Sequence, residues 1–320
     1  MSDSKRTRIT DFVIPSELPE DLPAGDMPGD KILITPELIK KSEIIFPVLL
    51  KWLETTKWFD NPRKLVLSIF GGSGVGKSEI AAILAYYLKV NDYYSYILSG
   101  DNYPYHDNHY NNVERLRCYR QGGLSELVKT GLYDQQVRSI LEKLQKTEKD
   151  FDHTLVNEYP FLATYQKGGR KGLRAFLGSE QEMEYSAINR ITTAFKNGEK
   201  SALLKRLRLH SDKVWYQEVN FSDIDILMIE WVHGNSPHLE NIDYRIFLNS
   251  TPQETWAHRR DRKRDDYVDD DYATNILGIE DAQTRENLAN VDLILTKQGE
   301  IIDYRQYLKI MEEAGYQDNW

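Results

Sequence analysis

The chain has 320 residues, 40% of them hydrophobic and 28% charged, with a formal net charge of -9. This composition suits one large α/β domain with an insertion, or two domains, and the acidity disfavours bulk binding to nucleic acid or to anionic membranes. The single cysteine, Cys118, excludes a disulfide framework and a cysteine-rich zinc site within one chain. The sequence shows neither an apolar signal peptide nor a membrane-spanning run, so we expect a cytoplasmic protein.

The N-terminal part of the chain is predicted to be an arm followed by a helix. Residues 1–31 are polar and contain four prolines, which is typical of an extended arm or linker. Thr35-Pro36 predicts a helix start, because threonine is a good N-cap and proline suits the first helical position. We expect a break or kink at Pro47. Trp52 and Trp58 are expected to pack in the core or at an interface, and a helix with exposed tryptophan would suit a homodimer.

The stretch at residues 71–78, GGSGVGKS, fits the phosphate-binding pattern G-x-x-x-x-G-K-[ST]. An apolar run at 65–70 predicts a buried strand before it, and helical spacing of apolar residues at 80–88 predicts a helix after it. Glycines in such a loop let N–H groups turn inward, so that they form an anion site at the helix N-terminus. Lys77 would reach the β- and γ-phosphates and Ser78 would hold Mg²⁺. The predicted nucleotide contacts are Gly71, Gly72, Ser73, Gly74, Val75, Gly76, Lys77, Ser78 and Glu79.

Asp101 directly follows the second predicted strand, residues 94–99. Ligands of open parallel sheets bind beyond the carboxyl ends of the strands, where a carboxylate would accept a proton from an attacking hydroxyl. The alternative for Asp101 is an Asx turn or a helix cap. His106 and His109 follow, and we favour substrate contact or a polar loop over a metal site for this pair, because no further ligand set supports a metal.

The long segment 105–220 separates the second and third predicted core strands. Apolar residues recur in it at helical spacing, and a loop of this length must have structure of its own, so we predict a helical, substrate-binding insertion. Two basic clusters would receive an anionic substrate, or would simply be solvated helix faces. The clusters are Lys167, Arg170, Lys171 and Arg174, and Lys205, Arg206, Arg208 and His210.

The third core strand is predicted at 225–230 and ends at Glu230. An acidic residue there is a direct or indirect partner of Mg²⁺ in phosphate-loop enzymes, although the usual residue is aspartate. After a fourth strand at 243–248 comes an arginine-rich run, 258–266, which we interpret as a mobile lid that neutralises the transferring phosphoryl group. The alternatives are a nucleic-acid patch or a charge run without function. The lid arginines are Arg259, Arg260, Arg262 and Arg264.

The fifth predicted strand, 291–295, is followed by Thr296-Lys297-Gln298-Gly299, which lacks the Asn-Lys-x-Asp pattern that reads guanine. Adenine is therefore favoured over guanine as the base of the bound nucleotide. The predicted cofactors are ATP and Mg²⁺. The predicted fold is an α/β P-loop NTPase: three layers, a five-stranded, mainly parallel sheet with helices on both faces, and a largely helical insertion. Its parts are an N-terminal arm and helix at 1–62, a core at 63–104 and 221–320 with the lid near 258–275, and the insertion at 105–220.

An ordered set of motifs resembles the small-molecule kinases of the uridine kinase and phosphoribulokinase type, over roughly residues 64–300. The set is Gly71 to Ser78, Ser99 to Tyr103, Phe195 to Gly198, Ile229-Glu230, Arg259 to Asp265, and Val291 to Ile294. The resemblance implies that Asp101 is the catalytic base and that the arginine-rich helix is the lid. His210 falls near a family histidine that touches the substrate. Residues 98–102 also resemble a stretch of adenylylsulfate kinases.

We therefore predict an ATP-dependent kinase that transfers the γ-phosphate to a hydroxyl of a small molecule, either a nucleoside, a sugar or a sugar phosphate. The alternatives are an adenylylsulfate kinase and, from another class, a nucleotide-dependent regulatory ATPase switch. Nucleic-acid binding through the lid arginines is disfavoured. Predicted substrate contacts are Asp101, Tyr103, His106, Arg170 and His210, and predicted metal ligands are Ser78 and Glu230. Lys77, Asp101 and the four lid arginines are the predicted catalytic groups.

Overall fold

The computed structural model describes residues 9–19, 21–208, 211–250 and 271–313. Eight strands lie in these ranges. They are β1 (Leu65–Phe70), β2 (Ser95–Ser99), β3 (Ser201–Arg208), β4 (Ser211–Asn220), β5 (Ile226–Trp231), β6 (Tyr244–Leu248), β7 (Leu293–Leu295) and β8 (Ile301–Ile302). The helices are α1 (Pro36–Thr55), α2 (Lys77–Val90), α3 (Asn108–Lys129), α4 (Gln135–Lys146), α5 (Phe161–Phe176), α6 (Tyr185–Lys196), α7 (Asp271–Thr284) and α8 (Tyr304–Glu313).

Six strands form one sheet in the order β2-β5-β1-β6-β7-β8. All neighbours are parallel except β7 and β8. β1 and β5 are buried along their whole length, as expected for strands covered on both faces. The predicted fold class is therefore confirmed, and all five predicted core strands are present. The short antiparallel edge strand β8 was not predicted.

The register of the sheet brings three strand ends together. Phe70 of β1 pairs with Trp231 of β5, and Ser99 of β2 pairs with Glu230 of β5. The segments that follow β1, β2 and β5 therefore leave the sheet side by side at its carboxyl edge, where ligands of such sheets bind.

Separate apolar clusters cover the two faces of the sheet. α1 and α2 pack on one face through residues such as Phe46 and Leu84, and α6 packs on the other through Ile188 and Phe195. A third cluster joins α3, α4, α5 and α7 and forms a core of its own for the helical insertion. This arrangement gives the predicted three layers.

The insertion is not helical throughout. Its four helices are followed by an antiparallel hairpin of β3 and β4, residues 201–220, a part of the chain for which we had expected helix. The hairpin also changes the interpretation of Lys205 and Arg206, which we had expected either to receive an anionic substrate or to lie on a solvated helix face. Both side chains are buried on β3 and paired with carboxylates, Lys205 with Glu184 and Arg206 with Asp26.

The N-terminal arm packs along the core. The amide of Val13 donates to Asn91 Oδ1 at 2.8 Å, at the end of α2, and the amide of Leu33 donates to Glu79 Oε1 at 3.3 Å, near its start. α1 begins at the predicted cap, with Thr35 Oγ1 accepting from the amide of Leu38. It continues as one helix past Pro47, so the chain does not break there, and the alternative that we expected, a kink, stays a prediction.

The two tryptophans near the end of α1 pack as predicted. Trp58 is 1% exposed and donates from its indole nitrogen to the carbonyl of Arg63 at 2.6 Å. The ring of Trp52 lies 4.6 Å from that of Tyr244. Within the described ranges, no helix combines the length and the apolar character that crossing a bilayer requires.

Candidate active site

The loop between β1 and α2 has the backbone that the glycine pattern requires. Gly71, Gly74 and Gly76 all have positive φ, and Gly76, at +93°, caps α2 in the left-handed region. A Cβ on Gly71 would lie 2.5 Å from the carbonyl oxygen of Leu248, so the loop approaches β6 too closely for any side chain there. Such a run of glycines at a helix N-terminus fits the phosphate groups of a nucleotide.

The two polar side chains that end this loop are positioned by contacts of their own. Lys77 Nζ donates to the carbonyl of Gly72 at 3.0 Å, which holds the ammonium group against the loop. Ser78 Oγ donates to Glu230 Oε2 at 3.0 Å. The hydroxyl that we predicted as a Mg²⁺ ligand therefore touches the carboxylate that we predicted as its partner.

Glu230 is the centre of the polar contacts at this edge of the sheet. Its second carboxylate oxygen accepts from Ser99 Oγ at 2.7 Å, and the side chain is almost fully buried. Burial and the nearby charge of Asp101 raise the pKa of Glu230 to about 7, although Lys77 and the two serine hydroxyls oppose that rise. A buried carboxylate beside a second carboxylate and a hydroxyl is a donor set that fits a divalent cation.

Asp101 lies on one turn of 3₁₀ helix, Gly100–Asn102, directly after β2. A Cβ on Gly100 would lie 2.0 Å from the indole of Trp231, so this turn rests on the end of β5. Asp101 is half-buried, whereas Gly100 and Asn102 on either side of it are buried. The structure thus brings Lys77, Ser78, Glu230 and Asp101 to one place; their roles in catalysis stay predictions.

A carboxylate from the arm holds the strand end before Asp101. Asp26 accepts from the amide of Ser99 at 2.7 Å and from Asn102 Nδ2 at 3.0 Å, which are the residues that flank the Gly100-Asp101 pair. It also accepts from the hydroxyl of Tyr96 at 3.0 Å and pairs with Arg206 at 2.9 Å. Burial raises the pKa of Asp26, and the charge of Arg206 acts against that rise.

Sequence reasoning missed this role of Asp26. The residue sits in a proline-rich arm, far along the chain from every motif, and it begins an Asp-x-x-Gly pattern that a GTPase would carry only after the phosphate loop. Only the fold brings it to β2. Arg206 was noted as part of a basic cluster, but nothing in the sequence indicated its partner.

The other predicted site residues lie at different places. Tyr103 is completely buried, and burial raises its pKa. His106 is exposed, at the start of the insertion. Arg170 is half-buried on α5, where its charge acts on Tyr119 of α3. Glu79 is buried and accepts a hydrogen bond from the amide of Leu33 in the arm. Its predicted nucleotide contact stays a prediction.

The remaining predicted site residues lie outside the described residues. They are His210 and the lid arginines Arg259, Arg260, Arg262 and Arg264.

No family model matches the chain. A bifunctional α-galactosidase/sucrose kinase from Mediterraneibacter gnavus is 28% identical over 249 residues. The predicted resemblance to small-molecule kinases is confirmed. The alignment covers 77% of this chain but only 22% of that protein, so the chain spans about a fifth of the length of this relative.

Two solved structures align with most of the chain. One is a candidate fructose transport system kinase from Silicibacter sp., with a TM-score of 0.43, 14% identity, and coverage of 79% of this chain and 93% of the other. The second is a candidate uridine kinase from Bacillus stearothermophilus, with a TM-score of 0.42, 14% identity, and coverage of 81% and 98%.

Proposed function

We propose that the protein is an ATP-dependent phosphotransferase that moves the γ-phosphate of ATP to a hydroxyl of a sugar. The observation that carries the proposal is the contact between Ser78 of the phosphate loop and Glu230, with Asp101 close enough for its charge to act on Glu230. Phosphoryl transfer needs a phosphate cradle, a cation site and a base near the acceptor hydroxyl, and in this proposal the phosphate loop, the pair of Ser78 and Glu230, and Asp101 would supply them.

Each residue has a separate part in this scheme. The loop amides and Lys77 would bind and orient the phosphates, and Ser78 and Glu230 would hold Mg²⁺. When bound, Mg²⁺ neutralises charge on the phosphates. Asp101 accepts the proton of the acceptor hydroxyl. One or more of the lid arginines, Arg259, Arg260, Arg262 and Arg264, would stabilise the charge on the transferring group.

The choice of acceptor rests on the relative rather than on the phosphate loop. The relative's printed name includes sucrose kinase, and its alignment with this chain runs over 249 residues. Of the acceptor classes that the sequence left open, namely nucleoside, sugar and sugar phosphate, this similarity favours the sugar. No observation in the structure favours adenylylsulfate as acceptor or a regulatory switch as function, so both are tested as outcomes of the experiment below.

ADP release from MgATP, measured across a panel of acceptors, tests the proposal. The panel contains sucrose, glucose, fructose, a sugar phosphate, uridine and adenylylsulfate, and Lys77→Ala serves as the blank. We expect one or more of the neutral sugars to stimulate ADP release at least tenfold over hydrolysis without acceptor, and Lys77→Ala to show no stimulation. Stimulation by adenylylsulfate alone would assign the other kinase class. Slow hydrolysis that no acceptor raises, with ATP still bound, would favour the switch.

A further inference from the structure

A cavity of about 210 Å³ lies between the loop after β5, the end of α5 and the end of α7. This volume lies below the range of about 300–1,000 Å³ that is typical of sites for drug-sized ligands, so the cavity suits a small molecule such as one sugar ring. Its walls mix apolar and polar side chains: Leu177, Val232 and Pro237 with His233, Arg174 and Gln283. It is not part of the predicted contacts described above.

Three of these lining residues carry a buried polar atom that has no hydrogen-bond partner within the described part of the chain. They are His233 Nε2, Arg174 Nη1 and Gln283 Oε1. His233 is only 7% exposed and its ring is backed by Gly178, where a Cβ would lie 2.5 Å from it. Because leaving a buried polar atom unpaired is costly, three such atoms on residues that line one cavity favour a polar ligand as their partner.

The charges at the cavity favour an uncharged ligand. Among the residues that line it, Arg174 and Glu286 are the ones with permanent charges, and they pair with each other. Burial and the charges of Arg115 and Lys77 lower the pKa of His233 to about 3, so its ring is neutral at physiological pH. An arginine N–H, an amide oxygen and an imidazole nitrogen match a molecule that both donates and accepts, as hydroxyl groups do.

The segments that line the cavity continue into residues that contact β1 and approach the phosphate loop. His233 lies three residues beyond Glu230, and the next residue, Gly234, accepts from Ser68 Oγ of β1 at 2.8 Å. On the other side, Asp281 Oδ1 lies 3.6 Å from where a Cβ of Gly72 would be. Gln283 is two residues further along that helix, so the same two segments that line the cavity also touch the strand and the loop beside it.

We propose that this cavity binds one uncharged, hydroxyl-rich sugar ring, through His233, Arg174 and Gln283. The proposal rests on the proposed function for its interpretation as part of the acceptor site. His233 and Gln283 face the ring's hydroxyls as neutral partners, and Arg174 donates from Nη1 while its other nitrogen keeps the pair with Glu286. Leu177 and Pro237 supply apolar contact for the ring's C–H groups.

Direct binding tests the cavity without relying on turnover. Isothermal titration calorimetry of the full chain is carried out with sucrose, glucose and fructose, and with glucose 6-phosphate and uridine as comparators. Each titration is run with and without a non-hydrolysable ATP analogue and Mg²⁺. We expect a neutral sugar to bind, and His233→Leu and Arg174→Met each to weaken it at least about fivefold, as expected for a lost hydrogen bond to a neutral group. Affinity for the ATP analogue should not change.

The matched control is His153→Leu, because His153 is an exposed histidine of the insertion that does not line the cavity. It should bind the sugar as the wild type does. If His233→Leu fails to fold by circular dichroism, Arg174→Met decides, because Arg174 lies at the partly exposed rim. Unchanged sugar affinity in the folded variants would overturn the proposal. Binding of glucose 6-phosphate or uridine, without binding of the neutral sugars, would overturn it as well.

Binding and turnover can fail separately. If a sugar stimulates ADP release but the cavity variants bind it normally, the proposed function stands and the cavity assignment is wrong. If the variants weaken sugar binding but no sugar is phosphorylated, the cavity binds sugar and the proposed kinase activity is wrong.

Discussion

The carboxylate of Asp26 lies 2.9 Å from the guanidinium group of Arg206, and both side chains are buried. This pair ties the N-terminal arm to the hairpin of the insertion. The same carboxylate binds the amide of Ser99 and the side-chain amide of Asn102, whose Oδ1 accepts in turn from the amide of Leu207 at 3.0 Å. Arm, hairpin and the turn that carries Asp101 are therefore one hydrogen-bonded unit.

Asp26→Asn tests whether this unit positions Asp101. The substitution removes the charge that faces Arg206 and leaves a buried cation unpaired, so we expect lower stability and a displaced Gly100–Asn102 turn. A displacement of this kind should lower kcat by about tenfold to a hundredfold while the KM for ATP changes less than threefold. Steady-state kinetics with the sugar that the acceptor panel identifies measure kcat and KM, and urea unfolding measures the change in stability.

The control for Asp26→Asn is Asp21→Asn, which removes a charge from the same arm at an exposed position. It should leave kcat and the unfolding midpoint unchanged. A purely structural role for Asp26 would lower the unfolding midpoint without changing kcat at a temperature where the variant is folded, and that result would remove it as a positioning residue.

The core strands and the phosphate loop were predictable because their signals are local. The runs at 65–70 and 225–230 are apolar enough to mark buried strands, and the glycine pattern at 71–78 fixes its own backbone. The Asp26–Arg206 pair was not predictable, because it joins residues far apart in sequence and depends on a hairpin in a segment for which helix was expected. The unpaired Nε2 atom of His233 was not predictable either, because its burial depends on the elements that pack around it in the fold.

Asp101→Asn tests the proposed base. Asparagine keeps the size of the side chain but cannot accept the proton, so kcat should fall by about 10²–10⁴-fold with ATP binding little changed. Asp92→Asn is a matched control, since Asp92 is an exposed turn residue with φ of +66°, a conformation that asparagine tolerates. Equal turnover by Asp101→Asn and the wild type would exclude Asp101 from proton transfer.

The neutral state of His233 predicts a pH dependence of stability. Its pKa in the folded state is about 3, below the usual 6.5, so the unfolded chain binds the proton more strongly. The contribution of His233 to stability is therefore present above about pH 6.5 and is lost progressively as the pH falls toward 3. Urea unfolding at pH 7 and pH 5 should show a smaller loss in His233→Leu than in the wild type. An identical loss in both proteins would show that His233 is not the titrating group.

The crossing of α3 and α5 depends on glycine. A Cβ on Gly122 would lie 2.4 Å from the carbonyl oxygen of Gly168 and 2.9 Å from the Cα of Gly172, so Gly122→Ala must push the two helices apart. We expect it to lower the free energy of unfolding by about 1–3 kcal/mol. Ser125→Ala, at an exposed position on the same helix, should cause no loss. Equal stability of Gly122→Ala and the wild type would contradict this close approach.

The most direct test of the account is to look for the phosphorylated acceptor itself. Phosphorus NMR of a reaction with MgATP and the neutral sugars should show a new phosphomonoester signal that grows as the γ-phosphate signal of ATP falls. It should be absent with Lys77→Ala and strongly reduced with Asp101→Asn. A wild-type reaction that consumes ATP but yields only inorganic phosphate would contradict the proposed transfer to a sugar hydroxyl.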